Sequence, residues 1–133
     1  MNFMLDTDCC IYLMNGSHAK LTDRVLSHPP AKFAISIISV AELKFGVAKS
    51  ARRKENEAKL ATFRSTYSTV VFDDGAADNY GQVRFELQQR GTLIGTLDML
   101  VAAHALALDV TLVTSNVREF RRVRGLRCES WAA

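Results

Sequence analysis

The sequence predicts an α/β domain in which a central parallel sheet of four to five strands is flanked by helices. Three observations carry that expectation. Short apolar runs rich in β-branched or aromatic residues alternate with longer stretches of helical pattern, the order of a parallel sheet with helical crossovers. The stretch 98–108 is apolar almost all round, as a helix buried against a sheet must be. The chain has 133 residues, of which 48% are hydrophobic, enough for one substantial core. With no internal repeat, low-complexity tract or long linker to divide it, residues 1–133 read as a single domain.

In chain order, the strand-length runs are 2–5, 33–38, 69–72 and 111–113, with a weaker fifth at 126–129. Between the first two, residues 9–14 and 21–26 read as short helices around the turn-prone Asn15-Gly16-Ser17, and His28-Pro29-Pro30 stops the second. Residues 40–48 place Val40, Leu43 and Val47 on one helical stripe, and a basic helix runs from about 53 to 67. Residues 73–90 form a further amphipathic helix. Gly91 and Gly95 then bracket a loop, after which Asp98 opens the apolar helix.

Composition excludes several classes. No apolar run reaches the ~18 residues of a membrane span, and the start lacks the basic and apolar regions of a secretory signal, so a cytoplasmic location with no membrane partner is expected. Three cysteines, two of them adjacent at Cys9 and Cys10, give neither a disulfide framework nor a zinc pattern. His18, His28 and His104 are not spaced as zinc ligands, and His104, on its apolar helix, reads as a packed side chain. Gly91-Thr92-Leu93-Ile94-Gly95 lacks the ending of a phosphate-cradling loop, and no catalytic triad appears. The net charge of +3 draws a polyanion only weakly. Arg118, Arg121, Arg122, Arg124 and Arg127 do crowd the C-terminal segment, where they serve either as a solvated basic face or as RNA contacts.

Candidate chemistry lies where open parallel sheets gather ligands, beyond the carboxyl ends of the strands. Asp6 ends the first strand, Glu42 falls in the opening turn of the helix after the second, and Asn116 and Glu119 follow the fourth. Asp98 joins the same edge if its helix runs antiparallel to the strands. Each acid taken singly is also explained as a helix cap or dipole partner. Together they are more specific, because carboxylates crowded into one cavity stay ionised only beside a compensating cation. All-oxygen donors suit Mg²⁺ or Mn²⁺, and such an ion activates water against a phosphodiester. Asp73-Asp74-Gly75 after the third strand is explained more simply by N-capping of the helix that follows.

These residues resemble the PIN-domain ribonucleases and, among them, the VapC toxins of bacterial toxin–antitoxin pairs. The landmarks span nearly the whole chain: Phe3-Met4-Leu5-Asp6-Thr7, Ser39-Val40-Ala41-Glu42-Leu43-Lys44-Phe45-Gly46, and Gly91-Thr92-Leu93-Ile94-Gly95-Thr96-Leu97-Asp98. They continue through Ala102-Ala103-His104-Ala105, Leu112-Val113-Thr114-Ser115-Asn116-Val117-Arg118-Glu119-Phe120 and Glu129-Ser130-Trp131. The resemblance implies a PIN-like three-layer α/β/α fold and a Mg²⁺-dependent endoribonuclease, with Mn²⁺ as a possible substitute. In it Asp6 and Asp98 bind the metal, and Glu42 ligates directly or through water. A fourth acidic position of the family falls at Asn116, which brings no negative charge, and Glu119, one helical turn on, is placed to compensate. Asp8 stands where many relatives carry Asn and is expected to be a peripheral acid.

The resemblance further implies a homodimer, neutralised by a VapB-type antitoxin in a toxin–antitoxin hetero-oligomer. The antitoxin's C-terminal segment would cover a groove lined through Ile11, Tyr12, Leu13, Leu43 and Phe45, although at least half of these side chains are expected to be core. The implied substrate is structured RNA, including initiator tRNA cut in the anticodon loop, with Lys44, Arg84, Arg90 and Arg118 positioning its backbone. Two other classes compete. A catalytically silent module that binds RNA or protein would show no metal-dependent turnover. A phosphoacceptor signalling domain would use Asp73 or Asp74 after the third strand, yet Arg127-Cys128-Glu129-Ser130 lacks the Lys it needs after the last.

Overall fold

A computed structural model describes residues 1–132. In chain order it contains β1 (Phe3–Leu5), α1 (Thr7–Asn15), α2 (Ala19–Leu26), a 3-10 turn (Pro30–Lys32), β2 (Phe33–Ser36), α3 (Ile37–Lys49) and α4 (Arg53–Thr66). There follow β3 (Ser68–Val70), α5 (Asp74–Gln89), α6 (Thr96–Leu108), β4 (Thr111–Val113), α7 (Val117–Phe120) and β5 (Cys128–Glu129). All strand pairs are parallel, in the order β3-β2-β1-β4-β5, so the expected parallel sheet is present with five strands.

The two-residue period of the strands divides the core. Met4 lies in register with Ala34 and Leu112, and these three side chains pack with Val83, Leu87, Met99, Val101, Ala102 and Phe120 from α5, α6 and α7. Their neighbours Leu5, Phe33, Ile35 and Val113 face the other way, onto Cys9, Cys10, Leu21, Val25, Leu43, Leu60 and Phe63 from α1 to α4. The result is three layers. Cys9 and Cys10 are buried free thiols within the second core and Cys128 is half-buried, which agrees with cysteines used for packing.

Several boundaries differ from expectation: β3 ends at Val70 rather than 72, and β5 begins at Cys128 rather than 126. The second strand stops at Ser36, because its side chain accepts from the Ile38 backbone at 3.1 Å and caps α3; Ile37 and Ile38 are therefore helical. Asp98 does not open its helix. Thr96 does, behind Gly95 as N-cap, and Asp98 is left in the first turn. The short α7 and the 3-10 turn carry too few residues to show a period. Asp73 caps α5, accepting from the Ala76 backbone at 3.0 Å, which bears out the capping reading. Among the described residues no helix is long and apolar enough to cross a membrane.

Two connections position the site. β1 leads to β2 on one side and pairs with β4 on the other, so the strand order reverses at β1 and opens a crevice beyond the carboxyl ends of β1 and β4. The turn at Asp109 (φ 54°) and Val110 joins α6 directly to β4, which forces α6 antiparallel to the strands and carries its first turn back to that crevice.

Candidate active site

Asp6 is the most constrained acid at the crevice. Its backbone N–H donates to the Val113 carbonyl at 3.0 Å, fixing the end of β1 to β4. Its side chain caps α1, with Oδ1 accepting from the Cys9 N–H at 3.0 Å. Oδ2 accepts from the hydroxyl of Thr114, the first residue after β4. Thr114 Oγ1 in turn accepts from the Asn116 N–H at 2.9 Å, which directs the hydroxyl proton toward Asp6. Only 6% of Asp6 is exposed, and burial raises its carboxyl above the ordinary range, while Thr114 and the Cys9 backbone pull it back down.

Glu42 arrives on α3, six residues past the Ser36 cap and so in the second turn rather than the expected opening turn, because the helix begins at Ile37. Its Oε1 accepts from the Thr7 hydroxyl at 2.7 Å, and Ser39 Oγ stands 3.1 Å from the same hydroxyl, so α1 and α3 are tied by a chain of three polar side chains. Asp98 arrives on α6 from the opposite layer. A Cβ on Gly95 would lie 3.3 Å from Asp98 Oδ2, so the glycine leaves the carboxylate unobstructed.

The carboxyl of Asp98 is pushed up to about 6, first by burial and then by the charges of Glu119, Glu42, Asp6 and Asp8 in that order. This brings all the acids expected from the sequence into one electrostatic neighbourhood, with Asp8 among them. Glu119 acts on Asp98 more strongly than Glu42 or Asp6 does. Asn116 precedes α7 as its N-cap residue, and its backbone N–H is spent on Thr114.

The donors suit a hard divalent cation in kind and charge, being oxygen atoms of carboxylates whose repulsion a cation would relieve. Among the described residues, however, no three His, Cys, Asp or Glu side chains close into a ready ligand set. Like charges without a counter-ion repel, and Glu42 is meanwhile held by Thr7.

A cleft of about 220 Å³ between α1, α3 and α4 includes Ile11 and Leu43 of the expected groove but not Tyr12, Leu13 or Phe45; Val47 and Leu60 also line it, with Glu42 on its wall. Leu43 is core, Tyr12 and Leu13 pack against that core, and only Ile11 and Phe45 of the five named side chains are exposed. The basic candidates also divide. Arg90 donates to the Arg122 carbonyl at 2.7 Å and Arg84 to the Tyr80 hydroxyl at 2.8 Å. Lys44 and Arg118 are carboxylate-free among the described ion pairs.

Reading the acids alone misses the hydroxyls that orient them: Thr7, Ser39 and Thr114. Each stands within one turn of a strand end, a pattern present in the sequence but too common to single out.

A family model described as PIN domain matches residues 3–126. The ribonuclease VapC2 of Rickettsia felis is 39% identical over 132 residues, covering 98% of each chain. The tRNA(fMet)-specific endonuclease VapC of Shigella flexneri is 36% identical over 132 residues, covering 99% of each. Among solved structures, the DNA-bound VapBC2 complex of Rickettsia felis contains a chain that superposes with a TM-score of 0.92 at 37% identity, covering 98% of this chain and 99% of that one. The DNA-bound VapBC of Salmonella typhimurium gives 0.93 at 35% identity and 98% of each. With a matched family model, full-length relatives and the acid-lined crevice in agreement, the chain belongs to the PIN-domain family, among its VapC endoribonucleases.

Proposed function

We propose that this chain is a toxin that cleaves structured RNA with Mg²⁺, or Mn²⁺ in its place, at the crevice beyond β1 and β4. The observation that carries the site is Asp98, whose proton affinity is raised by burial and by four other acids converging on it. Asp6 and Asp98 would hold the cation, with Glu42 and Glu119 beside them and Asn116 contributing its carbonyl in place of an acid. When bound, the cation supplies charge neutralisation and polarises the scissile phosphate.

The chain's own groups do the rest. Thr114 and the Cys9 N–H keep the Asp6 carboxylate in a single orientation, so no reorganisation is needed when substrate arrives. Thr7 does the same for Glu42. Lys44 and Arg118 would hold the RNA backbone, and an extruded loop phosphate reaches so shallow a crevice more easily than one in a duplex.

Likeness to a relative named as tRNA(fMet)-specific supports initiator tRNA, cut in the anticodon loop, as the substrate. Likeness to chains in VapBC complexes supports neutralisation by a VapB-type antitoxin and assembly as a dimer within the hetero-oligomer. A cytoplasmic site of action follows from that substrate.

The test is cleavage of labelled initiator tRNA by purified protein. Asp6→Ala and Asp98→Asn are each expected to lower the rate at least about 10³-fold, equivalent to about 4 kcal/mol of barrier, with an unchanged circular dichroism spectrum. Cleavage at the wild-type rate by either variant, or undiminished by chelation, would overturn the assignment.

A further inference from the structure

We propose that His104 is a positioning residue: bonded to Ser36, it fixes α3 against α6 and thereby sets the spacing between Glu42 and Asp98. This rests on the reading of those two acids as the reactive centre.

Ser36 and His104 form a polar pair inside an apolar interior, exposed by 0% and 1% respectively. Ser36 Oγ lies 2.7 Å from His104 Nδ1, joining residues far apart in the chain. A polar pair buried this deeply costs stability unless its bond is made, so the packing holds only when the two groups meet. Ser36 is also the residue that ends β2 and caps α3. Its oxygen also accepts from the Ile38 N–H, so a single hydroxyl holds both the first turn of α3 and the imidazole. The orientation of the first turn of α3 is thus coupled to the position of His104.

The leverage is symmetrical. Glu42 lies six residues beyond Ser36 on α3, and Asp98 lies six residues before His104 on α6. Each acid therefore stands about 9 Å along its helix from the same cross-link. Around His104 the buried residues of α6 are Met99, Val101, Ala102, Ala103 and Ala105, which pack without directional preference and would let the helix slide or rotate. Among the described residues no other hydrogen bond joins α6 to α3 or its cap.

The imidazole is held on its other sides too. The Phe72 ring meets it edge-on at 5.2 Å and 71°, and the Val71 backbone lies beside it, while Nε2 is buried without a hydrogen-bond partner. Burial lowers its proton affinity, against smaller opposing effects from the Val71 backbone and Asp73, which favours the neutral ring in this buried pair.

The test compares His104→Leu, which keeps volume but loses the bond, with His104→Asn, whose amide occupies the place of Nδ1. Both are measured beside Ser36→Ala and the double variant. His104→Leu should lower kcat for tRNA cleavage about 10- to 100-fold with KM changed less than about 3-fold, because misplacement by even an ångström acts on the reacting geometry. His104→Asn should recover most of that loss. In the Ser36→Ala background His104→Leu should cost nothing further in kcat.

Equal kcat for His104→Leu and His104→Asn, or losses in kcat that multiply independently in the double variant, would overturn the proposal. Should His104→Leu fail to fold, Ser36→Ala against Ser36→Thr decides the same question, with Thr expected to retain kcat and Ala to lose it. Asp98→Asn and Glu42→Gln are run in parallel. If they cleave normally, the site assignment fails; if they are inactive while His104→Leu is normal, only the positioning role fails.

Discussion

Phe3 and Phe33, which open β1 and β2, stack on each other and meet His28 and Trp131 tilted or edge-on, while His28 and Trp131 stack, with ring centroids 4.8 to 6.0 Å apart; Arg24 lies over the Trp131 ring at 4.4 Å. At the opposite ends of the same strands, Asp6, Glu42, Asp98 and Glu119 converge. In the aromatic region each contact lowers the free energy of the fold, and the one formal charge that approaches it does so over a ring face. In the acidic region like charges oppose the fold, and the Asp98 carboxyl is raised first by burial and then by the charges of its acidic neighbours. A protein selected only for stability would not build the second region. Its presence marks where stability has been exchanged for chemistry.

The largest effect that would separate the two regions is expected at Trp131. It is 3% exposed and closes the aromatic cluster, so Trp131→Ala should destabilise the protein by about 3–5 kcal/mol in urea unfolding. Below the unfolding midpoint, tRNA cleavage per folded molecule should be unchanged. A loss under about 1 kcal/mol would mean that the cluster packs against nothing that matters. A changed rate per folded molecule would mean that the two regions are mechanically coupled.

Much of this was legible in the sequence because sheet and acids both follow from periodicity and position. Runs at 2–5 and 111–113 met the observed strands to within a residue, and α6 was evident from its continuous apolar face. The acids were legible because Asp6 stands directly after a strand and Asp98 fronts an apolar helix, where an isolated charge is costly. What was not legible depends on contacts between distant segments. Ser36 looks like one more residue of an apolar strand until His104 is brought beside it, and only then is its capping of α3 a reason to end the strand there. Thr114 is likewise an ordinary residue after a strand until β1 delivers Asp6 to its hydroxyl. The alternation of faces was readable; which hydroxyl meets which carboxylate was not.

Thr114 gives the next largest effect, because it joins a fully buried side chain to the acidic region. Thr114→Val keeps the shape and removes both the donor to Asp6 and the acceptor for the Asn116 N–H. A buried carboxylate deprived of a donor loses about 1–3 kcal/mol, so cleavage should fall about 10- to 100-fold and the Mg²⁺ concentration for half-maximal rate should rise. Thr114→Ser should behave as wild type. Equal rates for Val and Ser would show that the hydroxyl merely fills space and that Asp6 is oriented by its cap alone.

The smallest effect concerns stability against pH, and its sign distinguishes the two regions most sharply. In the cation-free protein the Asp98 carboxyl sits near 6 rather than its ordinary 3.8, so the folded state binds that proton more tightly than the unfolded chain does. Its contribution is therefore full below about 4, is lost as pH rises through about 6, and stays lost above. Because Asp98 is partly open to solvent the size should be only on the order of 1 kcal/mol. Mg²⁺ should restore that loss, raising Tm at pH 7.5 and leaving it nearly unchanged at pH 5, where the proton already occupies the site. Asp98→Asn should flatten the cation-free profile, whereas Trp131→Ala should lower the whole curve without changing its slope. If instead Mg²⁺ stabilised the protein equally at both values, the cation would be binding somewhere other than the carboxylates that repel one another around Asp98.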